Sequence, residues 1–201
     1  MGKIHRRDFN AIVGRSMLTG AIAGALQGAE AADFSPEVTQ LKPNGWVPNN
    51  SRLPVLHYRS VLLGDNIGNR ASALEAMFTE HGWPPQWRNG IYTYHHYHST
   101  AHEVLGFAAG TARVVLGGPN GIEVVASAGD VVVLPAGTGH CQIEASGDYL
   151  VIGAYPPDQR WDICRSAPDE PMAARMASLP FPASDPVTGA SGPLTRLWTK
   201  A

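Results

Sequence analysis

The chain has 201 residues, 44% of them hydrophobic and 16% charged, which is ample for one domain with a buried core. A formal net charge of -2 excludes a general basic field for nucleic acid. With 22 Gly and 16 Pro, turns are frequent, and turns between short apolar runs predict an all-β sandwich or barrel.

Residues 1–31 have the layout of a secretory signal. Lys3, His5, Arg6 and Arg7 make a basic start, and small, weakly apolar residues follow over 11–26. Ala29-Glu30-Ala31 fits a small-x-small cleavage site, so the mature chain is expected to begin near Ala32. Arg6-Arg7-Asp8-Phe9 resembles the twin-arginine (Tat) export signal, with Arg15 inside the apolar stretch as a departure. The competing reading is a basic helix that stays attached. Export to the periplasm or medium is the expectation, with no membrane span, because the stretch is broken by Arg15 and rich in Gly and Ala. The Tat route carries folded proteins, so a metal site would fill before export, away from copper and zinc, which bind most N/O sites more tightly. Taking four basic and two acidic residues away with this segment leaves 11 basic and 15 acidic, a net of -4.

Residues 32–52, rich in Pro and Asn, read as an extended arm, and 53–63 as a strand closed by Gly64-Asp65-Asn66. Ser72-Ala73-Leu74-Glu75 fits a capping box. Leu74, Met77 and Phe78 then share a helical face, and Gly82 ends the helix. Trp83 and Trp87 flank Pro84-Pro85 and read as packing aromatics. Short strands are expected at 91–98, 103–109, 112–116, 122–126, 131–134, 140–144 and 149–155. Asn120-Gly121 is a hairpin signal, since both residues tolerate positive φ. A short helix is expected at 170–178, before a Pro/Gly-rich tail. Cys141 and Cys164 lack the spacing of a zinc cluster or a dithiol. A disulfide in an oxidising compartment and two small core residues both remain open for them.

The chemistry concentrates in 90–110 and 129–140. On a strand, alternate side chains share a face, so His96 and His98 point one way, with Tyr92 and Tyr94, while His95 and Tyr97 point the other. A turn at 99–102 brings Glu103 back beside the imidazoles. His140 follows an apolar strand and the Gly-rich turn 135–139, and is the candidate for a fourth ligand. Three imidazoles and a carboxylate suit one divalent metal (Mn, Fe, Ni or Zn, with Mn or Fe favoured), and four protein ligands on an octahedral ion leave two positions open. Glu103 is also a candidate to move a proton. Tyr92, Tyr94 and Phe107 are candidates to line the pocket, core packing being the commoner role. Arg113 is a candidate clamp for a substrate carboxylate, or else an exposed strand arginine. His95 and His102 read as solvated or structural, and His57 and His81 carry no signal. Gly117-Gly118-Pro119-Asn120-Gly121 lacks the lysine of a phosphate loop.

The first stretch, Gly90, five residues, His96-x-His98, four residues, Glu103, six residues, Gly110, resembles the first cupin motif at every fixed position. Gly129 to His140 resembles the second, whose last position, usually Asn, is Glu144 here. The runs HHYHSTAHEVLGFAAG, VVVLPAGTGHCQI, VIGAYP and DPVTGASGPL resemble the YjlB-type cupins, a group of metal-type cupins of unassigned activity. The resemblance implies an RmlC-like jelly roll, a cupin double-stranded β-helix with one or two short peripheral helices. The chain is expected to divide into a signal (1–31), an arm (32–52), the barrel (53–165) and a C-terminal helix and tail packing on it (166–201). The resemblance also implies a homodimer. The function expected is an exported mononuclear metalloenzyme, of dioxygenase or decarboxylase type, on a small oxygen-rich substrate. The alternative is a non-catalytic cupin that binds a metal or a small metabolite.

Overall fold

The computed structural model describes residues 34–62 and 67–199, so the signal expected over 1–31 lies outside the described residues. The elements in chain order are β1 (Glu37–Thr39), β2 (Val55–Tyr58), α1 (Ile67–Glu80), β3 (Pro85–Asn89), β4 (Glu103–Ala109) and β5 (Thr111–Leu116). Then follow β6 (Ile122–Ser127), β7 (Val131–Leu134), β8 (His140–Ala145), β9 (Leu150–Ala154), α2 (Glu170–Ser178) and α3 (Pro193–Leu197). The strands make a six-stranded sheet, β1-β2-β7-β4-β9-β3, and a three-stranded sheet, β6-β5-β8. Every pairing is antiparallel. The all-β expectation holds, with a few short helices at the periphery.

Strand parity explains where the two cores lie. On β4, Leu105 and Phe107 join Val114 and Leu116 of β5 and Val132 and Leu134 of β7 between the sheets. Val104 and Ala108 face the other way, onto Leu74 and Phe78 of α1. Strand β7 is buried on both faces, which is why it reads as an unbroken apolar run. Glu103 shares its parity with Leu105, so the strand that builds the core also delivers a carboxylate to the barrel interior.

Three expectations need correction. The helix starts at Ile67, not at Ser72, so Ser72 and Glu75 form no capping box. Burial of Ala71 below Leu74 and Phe78 on one face extends the helix by a turn, and Glu75 pairs with Arg88 of β3. The helix does end at Gly82, at φ 76. The Trp83 N–H reaches the Phe78 carbonyl (2.7 Å) and the Gly82 N–H reaches that of Thr79 (3.1 Å), a Schellman closure that needs a left-handed residue. Second, 91–98 is not a strand. The strand is β3, one segment earlier, with Pro85 as first residue of a sheet edge, where proline costs no ladder bond. Third, the β5–β6 turn takes positive φ at Gly117, Gly118 and Asn120, but not at Gly121. A Cβ on Gly121 would lie 2.1 Å from the Leu116 carbonyl oxygen, so that glycine is there for close approach.

The second motif opens with a structural device. Gly129 sits at φ 98, where a Cβ would meet the Leu62 carbonyl at 2.4 Å. The buried Asp130 carboxylate accepts the Ser60 N–H (2.9 Å) and the Ser127 N–H (3.1 Å), and contacts His57 and Arg59 at 3.2 Å each. Burial opposes its charge, but His57 and the two N–H groups outweigh that and hold its pKa at about 2, below the ordinary 3.8. A depressed carboxylate contributes stability above its unfolded pKa and loses it as pH falls through the folded value. Asp130→Asn is therefore expected to lower unfolding free energy by roughly 2 kcal/mol at pH 6. The gap to the parent should narrow between about pH 4 and pH 2. Urea titrations at a series of pH values check this, and a pH-independent gap would show that the charge is not the cause.

The run DPVTGASGPL closes the C-terminal tail. Asp185, wholly buried, accepts the Tyr58 hydroxyl and the N–H groups of Val187, Thr188 and Leu194. Cys141 and Cys164 are both free thiols, which answers the disulfide question for them.

Candidate metal centre

The segment carrying the first two histidines is extended without belonging to a sheet. His96 exchanges backbone hydrogen bonds with His140 (3.2 and 2.9 Å), and Tyr97 exchanges them with Cys164 (3.1 and 2.9 Å). Clamped between β8 and the 162–164 segment, it keeps the alternation of a strand. His96 and His98 turn inward, while the Tyr97 hydroxyl donates to the Ser166 carbonyl at 2.9 Å. His140 opens β8, and Glu103 opens β4.

The structure brings these four side chains together, all of them buried. One ligand nitrogen from each of His96, His98 and His140 lies within 4.8 Å of the other two. The His98 and His140 Nε2 atoms are each 3.3 Å from Glu103 Oε2. The Nδ1 atoms point outward to backbone carbonyls: His96 to Tyr94 and His140 to Thr138, both at 3.1 Å, and His98 to Asp162. A carbonyl only accepts, so each Nδ1 carries the hydrogen and each Nε2 presents a lone pair to the centre. Glu103 Oε1 accepts the Tyr155 hydroxyl at 2.6 Å, and Tyr155 in turn takes the Trp87 Nε1–H at 2.8 Å. Glu103 Oε2 is buried and has no hydrogen-bond donor. Three lone pairs and an anionic oxygen facing one another without a donor are stable only around a positive charge, and this donor set fits a divalent cation.

Without a metal, the titration of the site shows the same need. Burial lowers His96 to about 3, assisted by His140 and His98, and burial also lowers His140. His98 goes the other way: burial disfavours its charge, but the neighbouring Glu103 carboxylate raises it. Glu103 falls to about 2 despite burial, held there chiefly by His98. His98 and Glu103 thus each favour the charged form of the other, which fits a site that calls for positive charge.

A cavity of about 140 Å³ opens onto the three histidines and Glu103. Its walls are Trp87, Tyr92, Tyr155 and Trp161, with Ile91, Leu105 and Asn89. Of the pocket residues expected from the sequence, Tyr92 lines the cavity. Tyr94 stands behind it, stacked on Tyr92 at 4.8 Å and edge-on to His96 at 5.6 Å. Phe107 does not reach the cavity. It has the right parity, but four residues along β4 put it about 13 Å deeper, in the packed inter-sheet core. Arg113 has the wrong parity. With Ala112 and Val114 facing in, it projects from the outer face and pairs with Glu123 (2.6 Å) and Glu144 (2.8 Å). Glu144, at the position where the second motif usually has Asn, therefore serves the outer surface. His102 is structural: its Nδ1 accepts the Ala136 N–H at 3.0 Å.

Sequence reasoning missed Tyr155, Trp161 and Asp162, and took Trp87 for packing alone. Asp162 staples the histidine segment: its carboxylate accepts both the Ser99 N–H (2.6 Å) and the Ser99 hydroxyl (2.5 Å), and its carbonyl holds His98. Tyr155 was legible only as an inward position near the end of the last strand; no spacing ties Trp161 or Asp162 to the site.

A cupin family model matches residues 88–154, which span both histidine stretches and the whole of the cavity wall except Trp87, Tyr155 and Trp161. The "Uncharacterized protein YjlB" of Bacillus subtilis (strain 168) is 35% identical over 159 residues, covering 78% of this chain and 93% of that protein. The chain belongs to the cupin family. Among solved structures, this cupin is similar to procruciferin, an 11S globulin of Brassica napus, at 16% identity and a TM-score of 0.33 over 58% of the chain. It is also similar to Streptomyces albus HEPD with 2-hydroxyethylphosphonate and Fe(II) bound, at 10% identity and a TM-score of 0.25 over 74% of the chain. The cupin spans only 24% and 28% of the length of those two chains.

Proposed function

We propose that this cupin is a mononuclear metalloenzyme, of oxygenase or decarboxylase type, acting on a small oxygen-bearing substrate. His96, His98, His140 and Glu103 would hold one divalent ion, with Mn(II) or Fe(II) favoured by the mixture of imidazole and carboxylate. The observation that carries the reading is the set of three Nε2 lone pairs, each fixed by a carbonyl behind it, facing the unpartnered Glu103 Oε2 beside a cavity. Bound there, the ion would supply Lewis acidity and open positions for substrate or dioxygen.

The protein's own groups do the positioning. Tyr155 holds Oε1 of Glu103 and turns Oε2 to the histidines. The neighbouring His98 holds Glu103 in its anionic form, which suits it as a ligand, and the same carboxylate is the group that would move a proton. Trp87, Trp161 and Tyr92 wall the cavity beside the centre. Delivery of the folded, loaded protein by residues 1–31 is part of the same proposal.

The test is metal analysis of protein recovered from the exported fraction, followed by oxygen uptake and product analysis against small phenols, thiols and carboxylic acids. Near one Mn or Fe per chain with turnover is the expected result. A full complement of metal with a retained ligand and no turnover would move the assignment to a binding protein, and no metal would end it. Changing Arg6 and Arg7 together to lysine should keep the protein in the cytoplasm; unchanged export would reject the leader.

A further inference from the structure

We infer that the cavity selects a compact, largely apolar substrate that offers one oxygen donor to the metal centre and carries no second charge. The inference rests on the metal-centre reading and narrows it, replacing the oxygen-rich substrate expected from the sequence.

The first argument is the wall. Apart from the four ligands, the surface facing the cavity is built from indole, phenol and aliphatic groups: Trp87, Trp161, Tyr92, Tyr155, Ile91 and Leu105. Tyr155 and Trp161 lie nearly parallel, at an interplanar angle of 24°, and Trp161 also packs against His98 at 6.0 Å. The Tyr155 hydroxyl and the Trp87 N–H, the polar atoms of two of those rings, are already joined to Glu103 and to each other. What they leave for a ligand is ring surface. Asn89 adds a neutral amide, whose Oδ1 is taken by the Gly90 N–H at 2.8 Å. The volume of about 140 Å³ is near that of an apolar cavity of about 150 Å³ that accepts a benzene ring.

The second argument is charge. A divalent ion, three neutral imidazoles and one carboxylate leave a single positive charge, which one anionic oxygen balances. A second carboxylate would need a cation in the wall, and burial of an unpaired charge against indole and isobutyl groups is costly. Among the described residues, no lysine or arginine lines the cavity. Three arginines on nearby segments are engaged elsewhere. Arg113 pairs with Glu123 and Glu144 on the outer face, Arg88 with Glu75, and Arg165 lies over the Tyr94 ring at 4.3 Å. Dicarboxylates are therefore poor fits, although a carboxylate or phenol with an apolar body is a good one.

The test uses the full chain loaded with zinc, which supports binding without redox turnover, and three probes: phenol, butanoate and succinate. Butanoate and succinate have the same carbon count and differ by one charge. Calorimetry and quenching of the Trp87 and Trp161 fluorescence are expected to show phenol and butanoate binding at least about tenfold more tightly than succinate. Asn89→Lys, at an exposed position on the cavity wall, should raise succinate affinity at least about tenfold at unchanged zinc stoichiometry. Succinate binding as tightly as butanoate to the parent, or no binding of phenol and butanoate to the zinc-loaded protein, would overturn the inference. Failure of the parent to take up zinc would instead sink the metal-centre reading beneath it.

Discussion

His98→Ala is expected to lower divalent-metal affinity by at least about 100-fold while leaving the barrel folded. His98 contributes one of the three converging Nε2 atoms, and its Nδ1 is anchored to the Asp162 carbonyl. Changes to groups that merely orient a ligand cost about 10–100-fold, so removing a ligand should cost no less. The fold should survive, because His98 lies outside both apolar core clusters and its segment is held by backbone pairing through His96 and Tyr97. The removal also relieves a site in which lone pairs face a buried carboxylate. Chelator competition and metal analysis read the outcome, with Arg113→Ala as the control. Arg113 makes solvent-screened ion pairs on the outer face, and its loss should leave metal binding alone. One tightly bound metal per chain in the His98 variant would remove that residue from the ligand set.

Tyr155→Phe tests how the carboxylate is aimed. The hydroxyl donates to Glu103 Oε1 at 2.6 Å and accepts from Trp87 Nε1 at 2.8 Å. Burial, and then the Glu103 charge, push the phenol pKa far up, so the group stays a donor at all ordinary pH values. Phenylalanine keeps the ring and deletes the bond, leaving a buried carboxylate oxygen and an indole N–H without partners. The expected cost is about 1–3 kcal/mol of stability. Metal affinity should fall by about 10–100-fold, as for other groups that orient a ligand. The pH profile discriminates a positioning role from a packing one. The Tyr155 bond is among the causes that lower the Glu103 pKa, so without it that pKa rises toward the ordinary carboxylate value. Metal release on acidification should therefore begin at a higher pH in the variant. A release curve superimposable on the parent's, with unchanged affinity, would show that Glu103 needs no such support.

The two effects differ in how visible their residues were beforehand. His96 and His98 were placed on one face by a period of two. That survived even though 91–98 belongs to no strand, because an extended segment alternates whether or not it is in a sheet. Strands β4 to β9 were legible to within a residue or so for the same local reason, as was the helical face of Leu74 and Phe78. Arg113 and Phe107 show the limit of that reasoning. Arg113 lies on the outward parity of β5, and depth along β4, which parity ignores, removed Phe107 from the cavity. Strand β3 was hidden because Pro85 reads as a breaker, and only its place at a sheet edge makes it tolerable.

Local spacing in the chain was thus sufficient for the barrel strands and for the donor set, since period and motif act over a few residues. What surrounds the donors was settled by chain segments far apart in sequence. Tyr155 meets Glu103 across 52 positions, and Asp162 meets His98 across 64. Contacts of that span leave no pattern in the residues between them; they form only when β9 pairs with β4 and the segment after it folds back over the histidines. The four converging side chains were readable because they sit on extended backbone with a period of two, whereas the aromatic wall beside them exists only after the sheets have closed.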